Sequence, residues 1–129
     1  RARVAKWIVF ANASLDPVCF VENDRGGVVG TRLDQPGRVV AVLEDLLSQQ
    51  EWIAEDEFSV ADVAVASYLN YVPLFFPRVD LRSTPSICRY MLQCSQRPAF
   101  VKAFGEGHAN AVAAAAGAAA KPEKLFGIF

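Results

Sequence analysis

Residues 58–71 constrain the fold of this chain more than any other stretch of its sequence. Ser59 and Asp62 have the S-x-x-D spacing of a capping box, in which each side chain accepts a backbone amide at the start of a helix. Phe58 and Val63 have the spacing of a hydrophobic staple around that box. Almost every later position is apolar, and a helix that is apolar on all sides belongs in a core. The sequence therefore predicts a buried central helix, with capping as the whole role of Asp62.

Apolar spacing predicts two helices before this one. A first helix over residues 2–22 is expected to kink or end at Pro17, because proline lacks an amide hydrogen and clashes with the preceding turn. Residues 23–37 contain four glycines and predict a loop. Residues 38–50 predict an amphipathic helix with Glu44 on its solvent side. The apolar stripe of that helix comprises Val39, Val42, Leu43, Leu46 and Leu47.

Prolines set the expected bounds of the later elements. Pro73 and Pro77 are expected to end the central helix. Pro85 should begin the next helix, and Pro98 a short one that stops near Gly105. No segment alternates apolar and polar residues as a half-exposed strand does. The predicted fold class is therefore all-α, a helical bundle.

Composition narrows the class of function. The chain has 129 residues, is 53% hydrophobic and 21% charged, and carries a net charge of −1, which gives no electrostatic basis for binding nucleic acid. No apolar run approaches the roughly 20 residues of a membrane span. The three cysteines are odd in number and lack metal-ligand spacing. They predict an intracellular reducing compartment, without a disulfide framework or a metal site.

The sequence contains no set of residues that predicts a catalytic centre. His108 is the only histidine, and we expect it outside the core, solvated or capping a helix. A nucleophile needs a base and a residue that orients the base, and no such group is apparent. The sequence thus predicts no catalytic residue.

The last 21 residues differ in composition from the rest. Residues 109–120 contain nine alanines, which favour a helix but offer little area to bury. We therefore divide the chain into a helical domain, residues 1–108, and an alanine-rich segment with an apolar tail, residues 109–129. The tail either folds back or docks into another protein with the alanine segment as a spacer, and we favour docking. Its candidate docking residues are Leu125, Phe126, Ile128 and Phe129.

Three segments together resemble the C-terminal domain of the glutathione transferases. They are residues 4–17, residues 52–63 with the capping box, and residues 97–100 with the sequence Arg-Pro-Ala-Phe. The resemblance implies a helical bundle that normally follows a thioredoxin-like domain, which binds glutathione and activates its thiol. It also implies part of a dimer interface and of a hydrophobic substrate cleft. The residues of this chain that would line the cleft are Trp7, Phe10, Ala11 and Ser14. The alternative is that Trp7 packs between helices and the other three form a loosely covered surface.

Residues 7–11, Trp-Ile-Val-Phe-Ala, are similar to two branches of this family. One is the transferase-like domain of the elongation factor 1 gamma subunit, which implies the cytoplasm and a translation complex. The other comprises transferase-like proteins of cyanobacteria and plastid-bearing lineages, which implies the plastid stroma. The sequence leaves both open.

Two functions are consistent with these features. The first is a non-catalytic interaction or scaffold module, a cofactor-free subunit of a larger assembly held through the helical surface and the tail. The alternative is the helical half of a glutathione transferase. The chain begins with Arg1 and not with methionine, so we expect a segment before it. If that segment is a thioredoxin-like domain, glutathione is the implied cofactor.

Overall fold

The first helical segment changes its hydrogen bonding at two points. In the computed structural model, which describes residues 2–54 and 56–120, this segment comprises α1 (Ala2–Phe10), a π-helical turn (Ala11–Leu15) and α2 (Asp16–Cys19). The amide that follows the π turn bonds to the Ala11 carbonyl, five residues back instead of four. Pro17 then lies in the first turn of α2, where its missing amide hydrogen costs little. The helix therefore neither ends at Pro17 nor extends to residue 22.

A short hairpin follows, where the sequence predicted only a loop. It consists of β1 (Val21–Glu22) and β2 (Val28–Gly30), which pair antiparallel. The Asn23 side chain accepts the amides two and four residues later, at 2.9 Å each, and Gly26 takes the positive φ of 79° that the turn requires. Strands of two and three residues are too short to show an alternating pattern, so the sequence carried no strand signal.

The remaining described helices form the body of the bundle. They are α3 (Arg38–Gln49), α4 (Val60–Phe75), α5 (Pro85–Ser95), α6 (Pro98–Phe104) and α7 (Glu106–Ala116). The predicted central helix, α4, packs against α1, the π turn, α2, α5 and α7. Apart from the hairpin, the regular structure in the described ranges is helical. The all-α prediction is confirmed.

Pro73 does not end α4, and that prediction was wrong. Pro73 is buried inside the helix, which continues to Phe75. A proline at this position removes one backbone hydrogen bond of the last turn. The turn survives because Leu69 and Val72 are fully buried beside it, so packing of this end of α4 outweighs the lost bond.

Two charged side chains join α3 to α5, and each one caps the other helix. The Glu44 carboxylate accepts two amides in the first turn of α5, at 2.9 Å each. The Arg89 guanidinium donates to the carbonyls of Leu47 and Gln50 at the end of α3, at 2.7 and 3.2 Å. Both side chains complement the partial charge of the helix end that they contact. The expectation that Glu44 faces solvent was therefore wrong.

The apolar stripe of α3 is rotated slightly from the predicted one. Leu43 and Leu47 are fully buried, and Val40 joins them in the core. Val42, by contrast, is 50% exposed. In this orientation the Glu44 carboxylate reaches the start of α5.

The alanine-rich segment contributes to the bundle. The expected boundary between residues 108 and 109 falls inside α7, which packs against α4, α5 and α6. Val112 and Ala116 are fully buried, and Ala119 and Ala120 pack partly against the core. Up to residue 120 the segment therefore lies on the bundle and does not act as a free spacer. The predicted docking residues of the tail lie outside the described residues.

Candidate functional site

Asp62 is fully buried at the start of α4 and accepts hydrogen bonds from three directions. Its Oδ2 accepts the Ser59 amide at 2.9 Å, and Ser59 Oγ accepts the Ala61 amide at 3.2 Å, which completes the capping box. Its Oδ1 accepts the Ile53 amide at 2.9 Å and the Tyr90 hydroxyl at 2.7 Å. Asp62 therefore does more than cap α4, since it also holds the preceding loop and α5. No acceptor on this carboxylate faces solvent, so its arrangement is structural.

The four residues of the implied substrate cleft do not share one environment. Trp7 and Phe10 form an edge-to-face pair with ring centroids 5.0 Å apart, and both pack partly against the core. Ala11 is fully buried in the π turn, and Ser14 is half-buried. None of the four lines the two grooves described next. Their role in a cleft stays a prediction.

Groove A lies between α4, the end of α5 and α6, and has a volume of about 330 Å³. Its walls include Phe58, Val63, Ser67, Arg97, Phe100 and Phe104. Phe58 packs edge-to-face on Trp52 at 5.4 Å, and the Arg97 guanidinium lies 3.6 Å from the centre of its ring. Val63 is 49% exposed at the groove, so this residue presents its side chain to solvent. Groove A is therefore mostly apolar, with the Arg97 guanidinium at its rim and the buried capping residue Asp62 also in its lining.

Groove B adjoins groove A along α4, against α2 and the hairpin, and has a volume of about 420 Å³. Its walls include Asp16, Phe20, Glu22, Val28, Tyr71 and Phe75. Ser67 lines both grooves, so α4 forms the ridge between them. This surface was not predicted from the sequence. The available signal was the spacing of Val63, Ser67, Tyr71 and Phe75, since residues four apart share one face of a helix.

His108 is buried, which corrects the expectation of a solvated or capping histidine. Only 6% of its surface is exposed, and its Nε2 lies 2.8 Å from the Asn70 carbonyl. Because a carbonyl only accepts, this nitrogen carries the hydrogen. The ring packs against Tyr71, Phe100 and Phe104, with centroids 4.7 to 5.7 Å away. His108 therefore fastens α7 to α4 and α6.

The three thiols are free and buried. Burial raises the pKa of Cys88 from 9.0 to about 11. Burial also raises the pKa of Cys19 and of Cys94, with a further contribution from the negative charge of Asp16 and of Asp62, respectively. A thiol acts as a nucleophile through its thiolate, so this environment makes all three unreactive near neutral pH.

The described ranges contain neither a group of metal-ligating side chains nor a membrane-spanning helix. There, no three His, Cys, Asp or Glu side chains are grouped so that they could hold a metal ion. In the same residues, no helix combines the length and the apolar character needed to cross a membrane.

The comparisons with known proteins agree with the architecture. A search of curated proteins finds no match to the chain. Residues 19–98 match the family described as "Glutathione S-transferase, C-terminal domain". This segment runs from the end of α2 to the start of α6, covers more than half of the chain, and includes the Ser59–Asp62 capping box. The chain therefore belongs to the glutathione S-transferase C-terminal domain family.

Proposed function

We propose that this chain is a non-catalytic interaction module of a larger protein assembly, with groove A as its docking surface. The observation that carries the proposal is the row of exposed apolar side chains on this side of α4 and α6. Val60 is 58% exposed, and Val63 and Phe104 in groove A are 49% and 43% exposed. Contiguous apolar surface of this kind usually marks an interaction site.

The partner that fits groove A is a folded protein domain with an apolar surface. The groove has an almost wholly apolar lining, and its rim carries the Arg97 guanidinium stacked on Phe58. A partner would place aliphatic or aromatic side chains in the groove and an acceptor near Arg97, as in interfaces with an apolar centre and a polar rim. We propose the tail residues Leu125, Phe126, Ile128 and Phe129 as a second contact.

The environment of the reactive side chains supports a non-catalytic role. The thiols are buried with raised pKa values, and His108 Nε2 is hydrogen-bonded to the Asn70 carbonyl. Neither kind of side chain is placed as an activated nucleophile or a free base. On this proposal glutathione binds only if an upstream thioredoxin-like domain supplies its site. The free thiols suit a reducing compartment, and we propose the plastid stroma or the cytoplasm.

The test compares the native size of the full-length protein with that of charged variants in a gentle extract of the cells that make it. Val63→Glu and Phe104→Glu place a carboxylate in groove A, so we expect the co-migrating partner to be lost. Val42→Glu is the matched control, since Val42 is also half-exposed but lies on α3. Deletion of residues 121–129 tests the tail separately.

The result that would overturn the proposal is association that survives both groove variants, with folding checked by circular dichroism. Migration as a free monomer would overturn it equally.

The second candidate is the helical half of a glutathione transferase. Membership of a family described as a C-terminal domain favours it, and groove A offers an apolar surface against which a preceding domain could pack. Glutathione-conjugating activity of the native protein, at the size of a two-domain dimer, would support this candidate. Absence of glutathione binding by the full-length protein would exclude it.

A further inference from the structure

Groove B is lined by aromatic rings and by the carboxylates of Asp16 and Glu22. We propose that groove B binds an organic cation, namely a primary ammonium or guanidinium group on an apolar stem. This inference does not rest on the proposed function, because it concerns a different groove and a different chemistry.

The aromatic wall has the geometry that attracts a cation. Phe20 and Phe75 meet edge-to-face with centroids 5.4 Å apart, and Tyr71 lies 6.2 Å from Phe75. Phe75 is 55% exposed, so one of these rings is open to a ligand. A cation over an aromatic face is attracted by the ring quadrupole, and a set of such rings recognises ammonium groups.

Two carboxylates add the complementary charge. Asp16 begins α2 half-buried, and Glu22 lies on β1 directly opposite Val28, which lines the same groove. In the described part of the chain, neither carboxylate forms an ion pair. Arg32 lines the adjoining hollow together with both carboxylates, without a salt bridge to either. No lysine or arginine of the described ranges lines groove B itself.

The walls are fixed before any ligand arrives. The Tyr68 hydroxyl donates to Asn12 Oδ1 at 2.6 Å, which ties the π turn to α4. The hairpin is held by the Arg32 amide, which donates to the Val18 carbonyl at 2.7 Å, and by the fully buried Leu33 that follows it. A preformed site loses less free energy on binding than one that must be ordered.

The size of groove B suits a small ligand. Its volume of about 420 Å³ falls in the lower part of the range of small-molecule pockets, roughly 300 to 1,000 Å³. A short alkyl stem can lie against Phe20 and Phe75 while its cationic head lies between Asp16 and Glu22. The same chemistry is offered by a free amine and by the side chain of lysine or arginine in a partner.

The experiment titrates the full chain with hexylammonium, hexylguanidinium, hexanol and hexanoate, followed by NMR chemical shifts and calorimetry. We expect the two cations to bind roughly tenfold more tightly than hexanol, and hexanoate to bind least. The largest changes in NMR chemical shift should occur at Phe75, Tyr71 and Glu22. Raising the salt concentration should weaken only the cations.

Matched variants separate charge from apolar contact. Asp16→Asn together with Glu22→Gln should bring the affinity for hexylammonium down to that for hexanol, which should not change. Arg32→Gln should strengthen hexylammonium binding severalfold, because it removes a competing positive charge. Asp45→Asn, on the exposed side of α3, is the control and should change neither affinity.

Three outcomes would overturn the proposal. The first is hexanol binding as tightly as hexylammonium, which would make groove B an apolar docking surface. The second is unchanged cation binding by the Asp16→Asn, Glu22→Gln variant, when a cooperative thermal unfolding transition shows that this variant is folded. The third is a dimer in sedimentation whose interface covers groove B and excludes hexylammonium.

Discussion

The Tyr90 hydroxyl donates a 2.7 Å hydrogen bond to Asp62 Oδ1, and neither side chain is exposed to solvent. This bond joins α5 to the start of α4, while the same Asp62 oxygen accepts the Ile53 amide of the preceding loop. The loop before α4, the start of α4 and α5 therefore meet at one carboxylate, and Tyr90 lies 28 positions after Asp62. Burial, together with the nearby Cys94 and Asp62, raises the pKa of Tyr90 well above 10, so the hydroxyl remains a donor at neutral pH.

Removal of this hydroxyl should destabilise the bundle. We expect Tyr90→Phe to lower the free energy of unfolding by about 1.5 to 3 kcal/mol, the usual range for a hydrogen bond to a charged group. Tyr68→Phe is the matched control, because its hydroxyl also makes one hydrogen bond but does so at an exposed position. Urea unfolding measures both. Equal losses in the two variants would contradict the special role of the buried bond.

The carboxylate of Glu44 gives a second prediction. Glu44→Ala leaves two amides in the first turn of α5 without their acceptor, and we expect a loss of roughly 2 kcal/mol. The neighbouring substitution Asp45→Ala should change stability by less than about 0.5 kcal/mol, since Asp45 is exposed. Chemical denaturation of the two variants side by side checks this. A similar loss of unfolding free energy in both variants would mean that the loss in Glu44→Ala does not come from the cap on α5.

The sequence was sufficient for those parts of the fold that depend on local signals. The capping box at Ser59 and Asp62 and the apolar run after it identified α4 as the centre of the bundle. Pro85 and Pro98 marked the starts of α5 and α6. Local signals failed where tertiary packing outweighed them, as at Pro73, which burial retains inside α4.

The long-range polar contacts and the grooves were harder to predict, because both depend on how the helices pack against one another. Glu44 looked like a solvent-facing residue, since its partners lie more than 40 positions away in α5. His108 looked isolated for the same reason, since its ring is surrounded only after α4, α6 and α7 pack together. Groove B requires a hairpin that is too short to leave a sequence pattern.

His108 supplies a third prediction. His108→Leu keeps the volume of the side chain but removes the hydrogen bond to the Asn70 carbonyl, so we expect a loss of about 1 to 3 kcal/mol. Asn110→Leu, at an exposed position two residues further along α7, is the control and should stay within about 0.5 kcal/mol of the parent. Thermal unfolding followed by circular dichroism distinguishes the two. An unchanged melting temperature in His108→Leu would show that the histidine is not a fastening point.

The buried thiols predict the alkaline limit of stability. The folded chain holds the proton of Cys88 up to about pH 11, whereas the unfolded chain releases it near pH 9. Unfolding therefore releases a proton above pH 9, and stability that is complete below pH 9 is lost as the pH rises through 11. We expect the free energy of unfolding to fall by up to about 1.4 kcal/mol per pH unit for each such thiol.

Urea titrations between about pH 8 and pH 10.5 measure this slope, and Cys88→Ala should reduce it. The slope is the relevant quantity, because the cavity left by the substitution lowers stability equally at every pH. A slope unchanged by Cys88→Ala would assign the alkaline loss to other groups.

The alanine-rich helix gives the last prediction, which asks whether α7 is an integral part of the core. Ala116 is fully buried, whereas Ala114 on the same helix is exposed. Leucine at position 116 has no space to occupy, so Ala116→Leu should cost about 1 to 3 kcal/mol through overpacking. Leucine at position 114 faces solvent and should leave stability nearly unchanged, because alanine and leucine have similar helix propensities. Equal tolerance of leucine at both positions would mean that α7 separates from the bundle in solution, as the spacer interpretation of this segment requires.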